Sequence, residues 1–451
     1  RDSSNTICNS SISSNISGGE NNTIGCVSRY SMIGAGRNNR MYYYSYDSTI
    51  LGGRYNCIAH HQNGDSILGG MQNTICCCVQ QSSIIGGSNN RICNVYGATN
   101  YDRVCNTAIV GGQYNEIYRS SSWTSILGGR RNCVCCSSTV GIISGECNSI
   151  MGSPCNVIVG GCCNTICYGP IRSSILGGQN NLIKCCVQDS SIIGGVSNFI
   201  CNNYGADSYY TIKGAAILGG SSNRVARTAN YTVIAGGTCN CIRYSNNSIM
   251  GGGFTNCNTY SGNSFMVGGY CNCLQDAYYS GIAGGRYNCV CGQRSFVTGG
   301  QYNCLVNIGD GSIVGGRNNK VQNDAQFGSI IGGCSNTIGK FSCCGQILSG
   351  TCNTMYYSAN STIVNGCHNY ICFGGGSQIF GGAYNCLLPF SSKSLMASGC
   401  RNCLYGDYNN IINGTYNNLL NSFKSSIVGG CCNTLCNTCL LYTSDAADDT
   451  P

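Results

Sequence analysis

The residues of this 451-residue chain that could do chemistry are chiefly its thiols: 40 cysteines stand against 3 histidines and 16 acids. Thiols at regular spacing can close disulfides or hold a soft metal. Cys241, Cys257, Cys273, Cys289 and Cys304 recur at steps of 15 or 16 residues, each directly after an Asn, and Cys386 and Cys403, 17 apart, also each follow an Asn. Cys76–Cys77–Cys78 and Cys400-x-x-Cys403 have the spacing of metal ligands. With so few histidines, the regular spacing favours disulfide staples over metal, so neither a metal nor a cofactor is expected. His60, His61 and His368 have no partner set at ligand or triad spacing, and the acids are scattered. No catalytic residue is assigned, and the chain is not expected to be an enzyme.

The cysteine spacing belongs to a larger repeat. SIIGGSNNRI (Ser83–Ile92) recurs as TILGGRYNCI (Thr49–Ile58), TAIVGGQYNEI (Thr107–Ile117) and SSIVGGCCNTL (Ser425–Leu435). The Asn that closes each G-G-x-x-N advances by 15 to 17 residues, except for two steps of 25, Asn90 to Asn115 and Asn198 to Asn223. The two long steps resemble each other: CCCVQQSSIIGGSNNRICNVYGATN (Cys76–Asn100) aligns with KCCVQDSSIIGGVSNFICNNYGADS (Lys184–Ser208), as a block duplicated with its insertion would. A fixed short period is the mark of a solenoid. This unit is too short for a helix pair and holds two β-type runs, S-x-I-x and N-x-I, separated by turn residues. It predicts an all-β fold, a parallel β-solenoid or β-roll. About 26 rungs of 15–17 residues would stack at about 4.8 Å in two parallel sheets, a rod of roughly 120 Å. Residues 1–438 read as one continuous solenoid with longer rungs at 91–114 and 199–222.

Within the repeat, Ile50, Ile67, Ile84, Ile109 and Ile126 read as one inward ladder, and Ile58, Ile75, Ile92, Ile117 and Val134 as the opposing one. Gly supplies positive φ at the turn, and the marker Asn points inward to form a hydrogen-bonded ladder. A phosphate-binding loop is not indicated, because no G-K-[ST] follows the glycines. The residue after each inward Ile is also apolar: Leu51, Leu68, Ile85, Val110, Leu127, Val159, Leu176, Ile193 and Leu218. Strand side chains alternate faces, so these residues should form an outward stripe. An exposed stripe of that length predicts self-association; the alternative is a twisted turn that tucks both residues in.

Charged residues are only 9% of the chain, which is too few for a charge-swollen disordered segment. The net charge of +8 is spread along the sequence, with no basic patch for nucleic acid, and no apolar run is long enough to span a membrane. Gly 66, Tyr 30 and Cys 40 beside Pro 4 and Trp 1 suggest a secreted, cross-linked material, located extracellularly or at a cell or virion surface. Both ends read as cut. CLLYTSDAADD (Cys439–Asp449) breaks the repeat and reads as a translated sequencing adapter, which would make 439–451 non-native; without Asp445, Asp448 and Asp449 the net charge becomes +11.

The S-x-I-x-G unit followed by a polar turn resembles the β-roll head repeats of trimeric autotransporter adhesins over most of residues 1–438. The N-x-I elements are also similar to grass ice-recrystallisation-inhibiting β-rolls. The first resemblance implies trimerisation through apolar ladders and binding to host matrix; both imply the same fold class. The chain departs from those adhesins in its many cysteines and in having no stalk or membrane anchor in view. It departs from an ice-binding face in its mixed outward row, Thr74, Arg91, Glu116, Cys133, Leu182 and Phe199. The expected function is an extracellular structural fibre or fibrous adhesin subunit. Its expected partners are copies of itself, with surface glycans or matrix as the further candidates. The competing expectation is a carbohydrate- or ice-binding β-roll module.

Overall fold

The computed structural model describes residues 4–60, 62–94, 104–202, 211–439 and 442–443. They fall into two compact units, Arg1–Gly236 and Gly237–Pro451. Each unit is a parallel β-solenoid without helices among the described residues, and the chain makes about 24 turns in all, built on two main parallel sheets. The long rungs fall partly on 95–103 and 203–210, and the adapter-like tail on 440–441 and 444–451; these residues lie outside the described ones.

Each rung contributes one short strand to each sheet. In the first unit, Ser83–Ile84 pairs in parallel with Ser66–Ile67 on one side and Ala108–Ile109 on the other, in register. Arg91–Cys93 pairs in the same way with Thr74–Cys76 and Glu116–Tyr118. The 25-residue step therefore does not disturb either ladder. In the second unit, Ser312–Ile313 and Ser329–Ile330 form one ladder, and Lys320–Gln322 and Thr337–Ile338 the other. The inward Ile residues of both ladders, such as Ile84, Ile92, Ile313 and Ile338, are fully buried. Stacking like on like lets each β-branched side chain keep its preferred rotamer against its neighbours.

A third, shorter ladder was not anticipated from the repeat. Ser45–Tyr46, Gln62–Asn63, Val79–Gln80 and Val104–Cys105 pair in parallel, and Val187–Gln188 pairs with Ile212–Lys213. Val79, Val104, Val187 and Ile212 from these strands are also fully buried and close the third side of the core.

The Gly-Gly-x-x-Asn turn carries the polar framework. Asn132 is fully buried. Its Nδ2 donates to the carbonyls of Gly128 in its own turn and Gly145 in the next, both at 3.0 Å. Its Oδ1 accepts the backbone N–H of Asn148 at 3.0 Å. The same three bonds recur at Asn256 and Asn336 in the second unit. Across the long step the Asn115 N–H still reaches Asn90 Oδ1 at 3.0 Å. The expected Asn ladder is thus present, but it runs mainly from side chain to backbone rather than amide to amide. The two glycines of the turn differ. Gly129 has φ +84°, and a Cβ there would overlap the Gly145 carbonyl oxygen, whereas a Cβ on Gly128 would meet nothing. Ser144 occupies the Gly128 position one rung later.

A second polar ladder runs through the buried Ser or Thr that precedes many of the inward strands. Ser82 Oγ donates to the Gln80 carbonyl at 2.9 Å and accepts the Thr107 N–H at 3.2 Å. Asp65 takes this place in one rung. Its Oδ1 accepts the Ser82 N–H at 2.8 Å, while Oδ2 is buried without a partner. Burial pushes the Asp65 carboxyl up to about 7 from its usual 3.8, against smaller opposing hydrogen bonds from Ser82 and Asn63.

Gly129→Ala and Asn132→Ala should each destabilise their rungs by about 3 kcal/mol or more, through a backbone clash and through orphaned buried backbone groups respectively. Gly128→Ala should stay within about 0.5 kcal/mol. Amide hydrogen exchange across residues 126–148 would separate the three. Because the folded Asp65 pKa is raised, its contribution is fully present below about pH 4 and is lost as the pH rises to about 7. Asp65→Ser should flatten that slope in melts recorded between pH 4 and 8.

Candidate self-association face and thiol ladders

The outward stripe follows from the core directly. Ile84 points inward, so Ile85 emerges on the opposite face. Leu51 and Leu127 are each 46% exposed, and Leu68, Ile85, Val110, Leu176, Ile193 and Leu218 are also exposed. Val159 is half-buried. Backbone pairing reaches the stripe: Leu68 directly follows the strand Ser66–Ile67, its N–H donates to the Ile84 carbonyl at 2.9 Å, and its side chain is exposed rather than tucked in. The second unit carries its own members in Val267, Val314, Ile331, Phe380 and Ile412, all exposed.

The predicted cysteine run is in register. Cys241 lies opposite Cys257, Cys257 opposite Cys273, Cys273 opposite Cys289, and Cys289 opposite Cys304, all one residue after the marker Asn. These positions are half-buried. Cys386 and Cys403 form a second in-register pair. A third pair escaped the sequence reading. Cys76 and Cys93 sit three residues after their marker Asn, and their sulfurs are 2.6 Å apart. The common offset from Asn73 and Asn90 was the available signal; the adjacent Cys76–Cys77–Cys78 run drew attention to itself instead. Among the described residues, no three of His, Cys, Asp and Glu converge as a metal site would require.

Hydrogen bonding along the run tunes the thiols. A bond from the Cys273 thiol, aided by Thr259 and Arg243, brings Cys257 down to about 6 although burial opposes it. Thr259 Oγ1 lies 3.3 Å and Arg243 Nη2 4.0 Å from Cys257 Sγ. Cys273 and Cys289 are pushed up to about 11, each chiefly by its hydrogen bond to the preceding thiol.

The remaining polar residues are largely committed to neighbours one rung away. Arg172 pairs with Asp189 at 2.7 Å, Arg294 with Asp310 at 2.6 Å, Arg91 with Glu116 at 3.4 Å, and Arg130 with Glu146. The Arg294 hydrogen bond holds the Asp310 carboxyl below its usual range. The turn aromatics stack on one another: Tyr287 on Tyr302 at 4.9 Å and His368 on Tyr384 at 4.8 Å, with Arg401 over both Tyr384 and Tyr416. His60 lies beside Tyr42 and Tyr43, and His61 is outside the described residues. No family model matches the chain, and no curated protein matches it.

Alkylation by iodoacetamide, followed peptide by peptide, should show Cys257 at half its limiting rate near pH 6, whereas Cys273 should not reach that point below about pH 10. Arg243→Gln should move the Cys257 midpoint upward.

Proposed function

We propose that this chain is a subunit of an extracellular structural fibre or fibrous adhesin that assembles with copies of itself. The observation that carries the reading is the exposed apolar stripe from Leu51 to Leu218. Burying the exposed part of each of its residues is worth on the order of 1 kcal/mol. The nine named residues of the first unit therefore supply on the order of 10 kcal/mol gross, comparable with the ~4–15 kcal/mol that association costs. Further outward residues such as Val314 and Ile331 add to that total. The resemblance to adhesin head repeats, which trimerise through apolar ladders, points the same way.

Two cross-rung cysteine pairs are suited to staple the solenoid in an oxidising exterior, Cys76 with Cys93 and Cys386 with Cys403. In-register strands lie about 4.8 Å apart, inside the Cα range of a disulfide. A second reading, a glycan-binding β-roll, draws support from exposed turn aromatics such as Tyr302 and Tyr384. Mutual stacking, however, covers part of the ring faces that a sugar would need.

Sedimentation velocity with negative-stain microscopy tests the fibre reading. Leu68→Ser, Ile85→Ser and Val110→Ser together should weaken assembly by about 100-fold, the equivalent of roughly 3 kcal/mol. Assembly unchanged in the triple variant, or a wild-type chain that stays monomeric at all concentrations, would sink it.

A further inference from the structure

One cysteine pair of the first unit has an asymmetric setting. Cys76 and Cys93 stand in register on adjacent rungs, and both are nearly covered by protein. In the dithiol form the Cys76 thiol donates to Cys93 Sγ at 2.6 Å, and Arg91 Nη2 lies 3.3 Å from the same sulfur. Hydrogen bonding from Cys76, opposed by burial and aided by Arg91, holds the Cys93 thiol below its usual range. The same sulfur contact, with burial, holds Cys76 above it. Of the two, Cys93 carries the thiolate, which is the attacking species in thiol chemistry.

The space around the pair is equally one-sided. A cavity of about 170 Å³ is lined by Arg91, Cys93, Asn94, Glu116, Tyr118 and Arg119. These residues come from the rung of Cys93 and the rung after it, whereas Cys76 belongs to the rung before. The cavity therefore lies on the side of Cys93 away from Cys76. Displacement at sulfur runs in line, with the attacking and leaving sulfurs on opposite sides of the one between them. A group held on Cys93 within the cavity is thus placed to leave as Cys76 attacks. The lining holds two guanidiniums, Arg91 and Arg119, against one carboxylate, Glu116, which pairs with Arg91 at 3.4 Å. That excess of positive charge favours a ligand that carries carboxylates.

We propose that Cys93 is the entry point of a thiol–disulfide exchange site for small carboxylate-bearing disulfides, with Cys76 as the thiol that resolves the adduct. The Cys93 thiolate attacks one sulfur of the disulfide. A bond forms between Cys93 Sγ and that sulfur, the disulfide's own S–S bond breaks, and the second half leaves as a thiolate that takes a proton from solvent. Cys76 then gives its proton to solvent and attacks Cys93 Sγ. The Cys76–Cys93 bond forms and the first half leaves as a thiol in turn. The pair is oxidised by two electrons, and one small disulfide is reduced to two thiols. This deepens the staple reading of the pair and rests on the meeting of its two sulfurs, not on assembly of the chain.

The test uses the full chain, reduced and desalted under anaerobic conditions, then exposed to oxidised glutathione, quenched in acid at timed intervals and read peptide by peptide. Glutathione should appear first on Cys93, at least about ten-fold faster than on the exposed Cys136, Cys155 and Cys163, and then give way to a Cys76–Cys93 disulfide. Cys76→Ser should leave the glutathione on Cys93, and Cys93→Ser should leave Cys76 unmodified. Cystamine, a dicationic disulfide, should react at least about ten-fold more slowly than oxidised glutathione, and Arg119→Gln should narrow that gap. Each variant is checked for folding by circular dichroism. Glutathione appearing on Cys93 no faster than on the exposed cysteines overturns the proposal. So does its first appearance on Cys76, an adduct on Cys93 that Cys76 never displaces, or an equal rate with cystamine. A chain that stays monomeric while Cys93 reacts in this order sinks the fibre reading alone; a chain that assembles while Cys93 is inert sinks this one alone.

Discussion

The structure depends on one buried hydrogen-bonding group per rung, the side chain of the asparagine that closes each Gly-Gly-x-x-Asn turn. Its two N–H bonds and one accepted bond join carbonyls in its own turn and the next to an amide in the following rung, as at Asn132. A tight turn leaves backbone groups pointing into the coil, where water cannot reach them, and each would be costly if unpaired. Asparagine is the one short side chain with both donors and an acceptor in the right fork. Once it is in place, the second glycine of the turn has no room for a side chain, because the carbonyl of the next rung occupies that space.

The hydrophobic core follows from this polar frame. The turn sets the register, and register in a parallel stack makes every position repeat on itself. Isoleucine therefore stacks on isoleucine along much of both main sheets, with Met, Val and Leu in other rungs and a buried Asn258 between Ile242 and Leu274, and the buried serines stack as a second polar ladder. Asp65 shows what a departure costs: a carboxyl in a serine place is left with one oxygen unpartnered and a pKa raised by burial. The 25-residue steps show what the frame tolerates, since the ladder closes across the Asn90–Asn115 step with the same bond length as elsewhere.

The self-repetition that builds the core also writes lines along the surface. An apolar residue in one outward position becomes a stripe, a cysteine becomes a thiol run, and an aromatic becomes a stack such as Tyr287 on Tyr302. Any activity of such a surface is collective, because no rung by itself presents more than one side chain per line. Such lines place one residue type at the spacing of the rungs along the length of each unit.

Much of this was legible in the residues alone. The period, the two inward ladders, the buried asparagine and the alignment of Cys241 through Cys304 all follow from counting from one marker, because a solenoid turns sequence distance directly into vertical neighbours. What counting could not supply is lateral: which atoms meet within a rung or across adjacent rungs. The third ladder through Val79 and Val104, the Arg243 contact with Cys257 and the unpartnered oxygen of Asp65 depend on how each turn bends and where each side chain leans. The exposure of Leu51 and Leu127 was likewise open, since an alternating strand and a tucked turn share the same two letters. The repeat determined the vertical order of this protein; only backbone geometry in three dimensions decided the contacts made sideways.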